Sequence, residues 1–158
     1  MNTLVVCYSL SGNSRTVAQV ISTDMNAAFA EIRDVRPRNT IPGYLRSVFE
    51  TLTGRTPAIF EPANDAAEYD LVILVAPLWA GRMAAPLRTY LTRHGSKLGR
   101  YAVAITHGGS SIDKAVAQIS DLAGRPPAEV LHVRADAVRD GSYQAAVDEF
   151  CRSLSALK

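Results

Sequence analysis

The 158-residue, 17.0 kDa chain is 47% hydrophobic with a mean hydropathy of +0.03, values that suit one folded domain and exclude a disordered chain. Its net charge of +2 is dispersed, with no dense basic stripe for nucleic acid, and its longest apolar stretch, residues 71–81, is too short for membrane insertion. Cys7 and Cys151 make neither a disulfide framework nor a C-x-x-C pair, and Met1-Asn2-Thr3 has no basic region of an export signal, so a cytoplasmic location is expected.

Taken in chain order, residues 4–8 form a first apolar strand that runs into Ser9, Leu10, Ser11, Gly12, Asn13 and Ser14. A helix follows, with Val17, Val20, Ile21 and Ala28 near helical spacing. Residues 30–35 read as a weaker strand. After Pro37 and Pro42, Tyr44, Leu45, Val48, Phe49 and Leu52 share one side of a short amphipathic helix, closed by Gly54 and Pro57. That side is expected to pack inward; a lid with Tyr44 or Arg46 toward a substrate and a dimer surface are the alternatives. The connection over residues 36–69 is long for a crossover.

Residues 71–76 are an unbroken apolar run, predicted to be a buried strand ended by Pro77. Pro86 opens a helix with Leu87, Tyr90 and Leu91 inward. A strand over residues 101–106 meets His107, Gly108, Gly109 and Ser110, and Ile112, Ala115, Val116, Ile119 and Leu122 mark the next helix. Residues 130–133 form a last short strand. Tyr143, Ala146, Val147, Phe150, Cys151, Leu154 and Leu157 make one stripe of the final helix.

Five strands alternating with helices predict an α/β fold with one doubly wound, five-stranded parallel sheet. Glu31, Arg33, Asp34 and His132 interrupt the second and fifth strands and assign them to the edges, as the order 2-1-3-4-5 requires. That order opens a crevice at the carboxyl ends of strands one and three. The serine-rich loop lies there, at a helix N-terminus, and is suited to an anion. It has one glycine and no following lysine, so it matches neither the dinucleotide fingerprint nor a Walker loop and fits a compact monophosphate. The C-x5-R-S spacing of low-molecular-weight phosphatases is also absent, because Cys7 lies in the strand and seven residues separate it from Arg15.

Three segments together give the chain a resemblance to the flavodoxin family of FMN proteins: Tyr8-Ser9-Leu10-Ser11-Gly12-Asn13-Ser14, Pro77-Leu78-Trp79-Ala80-Gly81 and Thr106-His107-Gly108-Gly109-Ser110. The resemblance implies that Ser9, Leu10, Ser11, Gly12, Asn13 and Ser14 hold the FMN phosphate. It implies further that Pro77, Leu78, Trp79, Ala80 and Gly81, with Thr106, His107, Gly108 and Gly109, enclose the flavin ring. His107 is the candidate catalytic group, as a proton or hydrogen-bond donor at the flavin edge. No metal site is expected.

The expected partner is a redox protein or a small-molecule electron acceptor, with a homodimer as a further expectation. The alternative function is a ligand-binding or regulatory module of the same fold without redox activity. Unlike the acidic electron carriers of the family, this chain is net basic, and neither of the two expected ring loops contains a carboxylate. Arg82 and Arg88 follow the first of them. A flavin there would have its anionic reduced form stabilised, which favours chemistry on a small acceptor such as a quinone.

Overall fold

The computed structural model describes residues 1–157. Its elements in order are β1 (Thr3–Tyr8), α1 (Asn13–Asp24), β2 (Ala28–Asp34), α2 (Ile41–Leu52), β3 (Ile59–Phe60), β4 (Leu71–Trp79), β5 (Arg82–Met83), α3 (Ala85–His94), β6 (Arg100–His107), α4 (Asp113–Ala123), β7 (Val130–Arg134), α5 (Ala135–Asp140) and α6 (Gln144–Ala156). The long strands are parallel and lie in the order β2-β1-β4-β6-β7, which is the expected 2-1-3-4-5 arrangement. Two strands of two residues each enlarge the sheet beyond the expected five. β3 pairs antiparallel with the end of β2, and β5 folds back on β4.

Strand alternation divides the core into two layers. Tyr8, Leu4, Val6, Val72, Leu74, Ala76, Val103 and Ile105 face α3 and α4, meeting Leu87, Tyr90, Leu91, Ala115 and Ile119. Val5, Cys7, Ile73, Val75, Ala102, Ala104, Leu131 and Val133 face α1 and α6, meeting Val17, Ile21, Val147, Phe150 and Leu154. Central β4 is buried from Leu71 to Ala76, as a strand covered on both faces must be. The edge strand β7 instead alternates exposed and buried positions.

Four expectations need correction. Ala28 belongs to β2, because α1 ends at Asp24 and Asn26 turns the chain at φ 47°. Val35 lies outside β2, its N–H donating to the carbonyl of Ala58. Pro77 does not end β4: β1 pairs with it only as far as Val75, so β4 has a free side there and tolerates a residue without a donor. The strand continues to Trp79 and turns through Ala80 (φ 47°) and Gly81 (φ 70°) into β5. That is the two-residue hairpin geometry with both central residues left-handed.

The fourth correction concerns α2. Its buried residues are Gly43, Ser47 and Thr51, whereas the apolar stripe faces solvent: Ile41 is 80% exposed, Tyr44 63%, Leu45 61%, Phe49 54% and Leu52 49%. The cause is polar. The side chain of Arg38 lies beneath the helix and binds Ser47 and Glu50, and Gly43 sits so close to the Arg38 backbone that a Cβ would come within 2.6 Å of it.

A second close approach tests the packing. A Cβ on Gly95 would sit 2.5 Å from the carbonyl oxygen of Leu122, where backbone must move, whereas one on Gly99 would meet nothing nearer than 3.9 Å. Gly95→Ala should lower unfolding free energy by about 1–3 kcal/mol, as overpacking does. Gly99→Ala should leave the urea midpoint nearly unchanged.

Candidate functional site

The ends of β1, β4 and β6 stand side by side, and the segments after them form one surface. Gly12 takes φ 99°, a conformation costly for any residue with a side chain, and donates its N–H to the hydroxyl of Ser9 (3.1 Å). The first helical bond of α1 runs from Thr16 N–H to the Gly12 carbonyl (3.0 Å). No side chain caps the helix and its first turn holds no carboxylate. The N–H groups of Asn13, Ser14 and Arg15 therefore have no intrahelical acceptor and carry the positive end of the helix dipole.

Of the loop side chains, Leu10 and Ser11 are exposed and Ser9 and Asn13 half-buried. Ser14 is turned inward. Its hydroxyl shares a 2.7 Å hydrogen bond with that of Thr106, and both residues are buried. This bond ties the first loop to the third, and what Ser14 offers at the surface is its backbone.

Trp79 is held on two sides. Tyr8 meets its ring edge-on with centroids 5.5 Å apart, and the Arg38 guanidinium lies 5.2 Å from its centroid. These supports are coupled, because the Tyr8 hydroxyl donates to Asp34 Oδ2 (2.6 Å) while Arg38 Nε donates to Asp34 Oδ1 (2.7 Å). Burial disfavours the Arg38 cation, but Asp34 and Glu50 outweigh it and hold its pKa above the ordinary value. Sequence reasoning missed both Arg38 and Asp34. Only an arginine at the start of the long connection, close to two carboxylates, could have marked them.

In the third segment, Gly108 and Gly109 are exposed and His107 half-buried. Gly109 N–H donates to His107 Nδ1 (3.0 Å), so the neutral ring carries its proton on Nε2, which lies 3.3 Å from His132 Nδ1. His107 thus leans toward β7, and His132 becomes its partner. Burial, then His132 and Arg134, lower its pKa, with Asp136 opposing. Arg82 and Arg88 carry no ion pair among the described residues, and burial followed by the charge of Arg82 lowers the pKa of Arg88. Cys7 is fully buried, and burial pushes its thiol up to about 12, which removes it as a thiolate nucleophile.

No family model matches the chain. An NAD(P)H dehydrogenase (quinone) from Gluconacetobacter diazotrophicus is 28% identical over 117 residues, 67% of this chain but only 58% of that relative. A flavoprotein from Lactobacillus acidophilus, solved in complex with FMN, is 25% identical with a TM-score of 0.72, covering 89% of this chain and 97% of its own. A flavodoxin from Streptococcus pneumoniae superposes with a TM-score of 0.60 over 99% of both chains at 13% identity, a likeness of fold alone.

The His107 arrangement has a measurable sign. A histidine with a lowered pKa contributes stability above its unfolded value, and that contribution is lost as pH falls through the folded value. An NMR titration should place the His107 midpoint below about 6.5, the unperturbed value. His132→Ala should move it upward; an unmoved midpoint would leave burial and Arg134 as the causes.

Proposed function

We propose that this chain, a flavodoxin-like protein in its fold and its solved relatives, binds FMN across the three segments and passes electrons from a reduced nicotinamide to a small acceptor such as a quinone. The carrying observation is the uncapped N-terminus of α1 inside a serine-rich loop, on the same sheet edge as the Trp79 hairpin and the exposed Gly108-Gly109 segment. Helix N–H groups and short hydroxyls suit a terminal phosphate dianion. The FMN complex of the Lactobacillus flavoprotein and the quinone-linked relative support this choice of cofactor and reaction.

In this reading the hydroxyl of Ser9 keeps the loop closed through Gly12, Ser11 and Asn13 supply side-chain donors, and Leu10, Asn13 and Ser14 supply backbone N–H groups. The Ser14–Thr106 bond holds the phosphate loop in register with the ring loops. Trp79, braced by Tyr8 and Arg38, forms a rigid wall for the flavin, with Pro77, Leu78, Ala80 and Gly81 completing the hairpin. Bound FMN would supply the redox chemistry; the protein contributes position, exclusion of water and charge.

His107 holds its Nε2 proton next to His132 and would have to release that bond to serve the flavin edge. With no carboxylate in the ring segments, Arg82 and Arg88 favour negative charge on the ring side. This supports the small-acceptor reading over a low-potential carrier.

The test separates the phosphate from the ring. Charge-assisted hydrogen bonds contribute about 1.5–3 kcal/mol each, so Ser11→Ala/Asn13→Ala should weaken FMN at least tenfold, roughly 1.4 kcal/mol or more, while riboflavin binding changes little. Equal losses for both ligands, followed by flavin absorbance, would place the phosphate elsewhere. Trp79→Ala should weaken both ligands by about 1 kcal/mol through lost aromatic contact.

A further inference from the structure

The outward face of α2 is built, and it needs an explanation. Ile41, Tyr44, Leu45, Phe49 and Leu52 follow one another at helical spacing and are all about half exposed or more. Proteins seldom leave so many large apolar side chains contiguous on one element without a binding partner. Rotating the helix would bury them, yet three features prevent rotation: the tight seat of Gly43 on Arg38, the Arg38–Ser47 bond (3.1 Å) and the Arg38–Glu50 ion pair (2.7 Å). The buried polar side locks the apolar side outward.

Charge selects the occupant. Residues 34–57 contain four arginines against two carboxylates, and both carboxylates, Asp34 and Glu50, are turned toward Arg38. Arg46 shares Glu50 (3.6 Å) and donates to the carbonyls of Arg36 and Pro37. Arg36 and Arg55 are exposed and have no carboxylate partner among the described residues, and Arg55 lies 5.6 Å over the Phe49 ring at the stripe itself. The fringe of the apolar face is therefore cationic. Against a second copy of itself, related by a twofold axis, it would set arginine against arginine. The face is also the convex side of a single helix, which a fluid surface accommodates without a preformed groove.

We propose that α2 docks the protein on an anionic lipid surface, its apolar stripe in the interfacial layer and Arg36 and Arg55 at the headgroups. An amphipathic helix with a cationic fringe lies in the interface plane rather than across it. Among the described residues no helix is long and apolar enough to cross a membrane. Arg38 sets the buried side of α2 beside Trp79, so the docked helix stands next to the ring segments, although the docking itself does not depend on the proposed redox function.

The experiment is co-sedimentation of the intact protein with vesicles of phosphatidylcholine, with and without phosphatidylglycerol. Binding should require the anionic lipid and weaken as salt is raised. Leu45→Ser/Phe49→Ser should abolish it, and Arg36→Gln/Arg55→Gln should weaken it about tenfold or more. All four side chains are exposed, so the thermal midpoints should stay close to that of the parent. Any of three results would overturn the proposal: no sedimentation with anionic vesicles, binding that survives Leu45→Ser/Phe49→Ser, or a dimer in sedimentation equilibrium that the same substitutions dissolve. Capture by an acidic polypeptide but not by vesicles would also overturn it, in favour of a protein partner.

Discussion

One buried guanidinium connects most of what is distinctive here. Arg38 has a side chain only 1% exposed, and it binds Asp34 at the end of β2 and Ser47 and Glu50 on α2 while covering Trp79 at the end of β4. A charge so enclosed is tolerated only when it is paired, and removing one partner of such a pair costs about 3–5 kcal/mol. The network is therefore a constraint as much as a source of stability. It sets the rotation of α2, clamps one side of the tryptophan and, through Asp34, engages the Tyr8 hydroxyl.

The consequences run in two directions. Toward the sheet, Tyr8 and Arg38 hold Trp79 on two sides and so fix its orientation at the end of β4. Toward solvent, the same network turns five large apolar side chains outward. The polar partners of Arg38 occupy the inward side of α2, and the apolar stripe is left on the opposite side.

The second organising bond is smaller. Ser14 and Thr106 meet by their hydroxyls between two loops that lie 92 residues apart in the chain, joining the helix that offers free N–H groups to the strand that carries His107. With this bond, the serine-rich loop and the glycine segment become parts of one surface. The parallel register of β1, β4 and β6 brings their carboxyl ends to the same edge, which is where a doubly wound sheet binds ligands.

Local physics was enough to read the sheet. The continuous apolar runs of β4 and β6, the charged interruptions of β2 and the spacing of α1 and α6 separate central from edge strands and mark the layers, because burial on two faces, one face or none leaves a distinct pattern in one dimension. The position of the serine-rich loop at the start of α1 could be read for the same reason, since the signals that begin a helix lie within a few consecutive residues. What only the tertiary structure decided are the long-range pairings. The helical period of α2 was plain in the sequence, but which side faced inward depended on Arg38 reaching Asp34 and Glu50. Pro77 could remain in β4 because β1 stops pairing at Val75, and His107 acquired His132 through the register of β6 on β7. Periodicity reports that a face exists; its direction depends on which buried polar groups must be satisfied, and those partners lie on other elements.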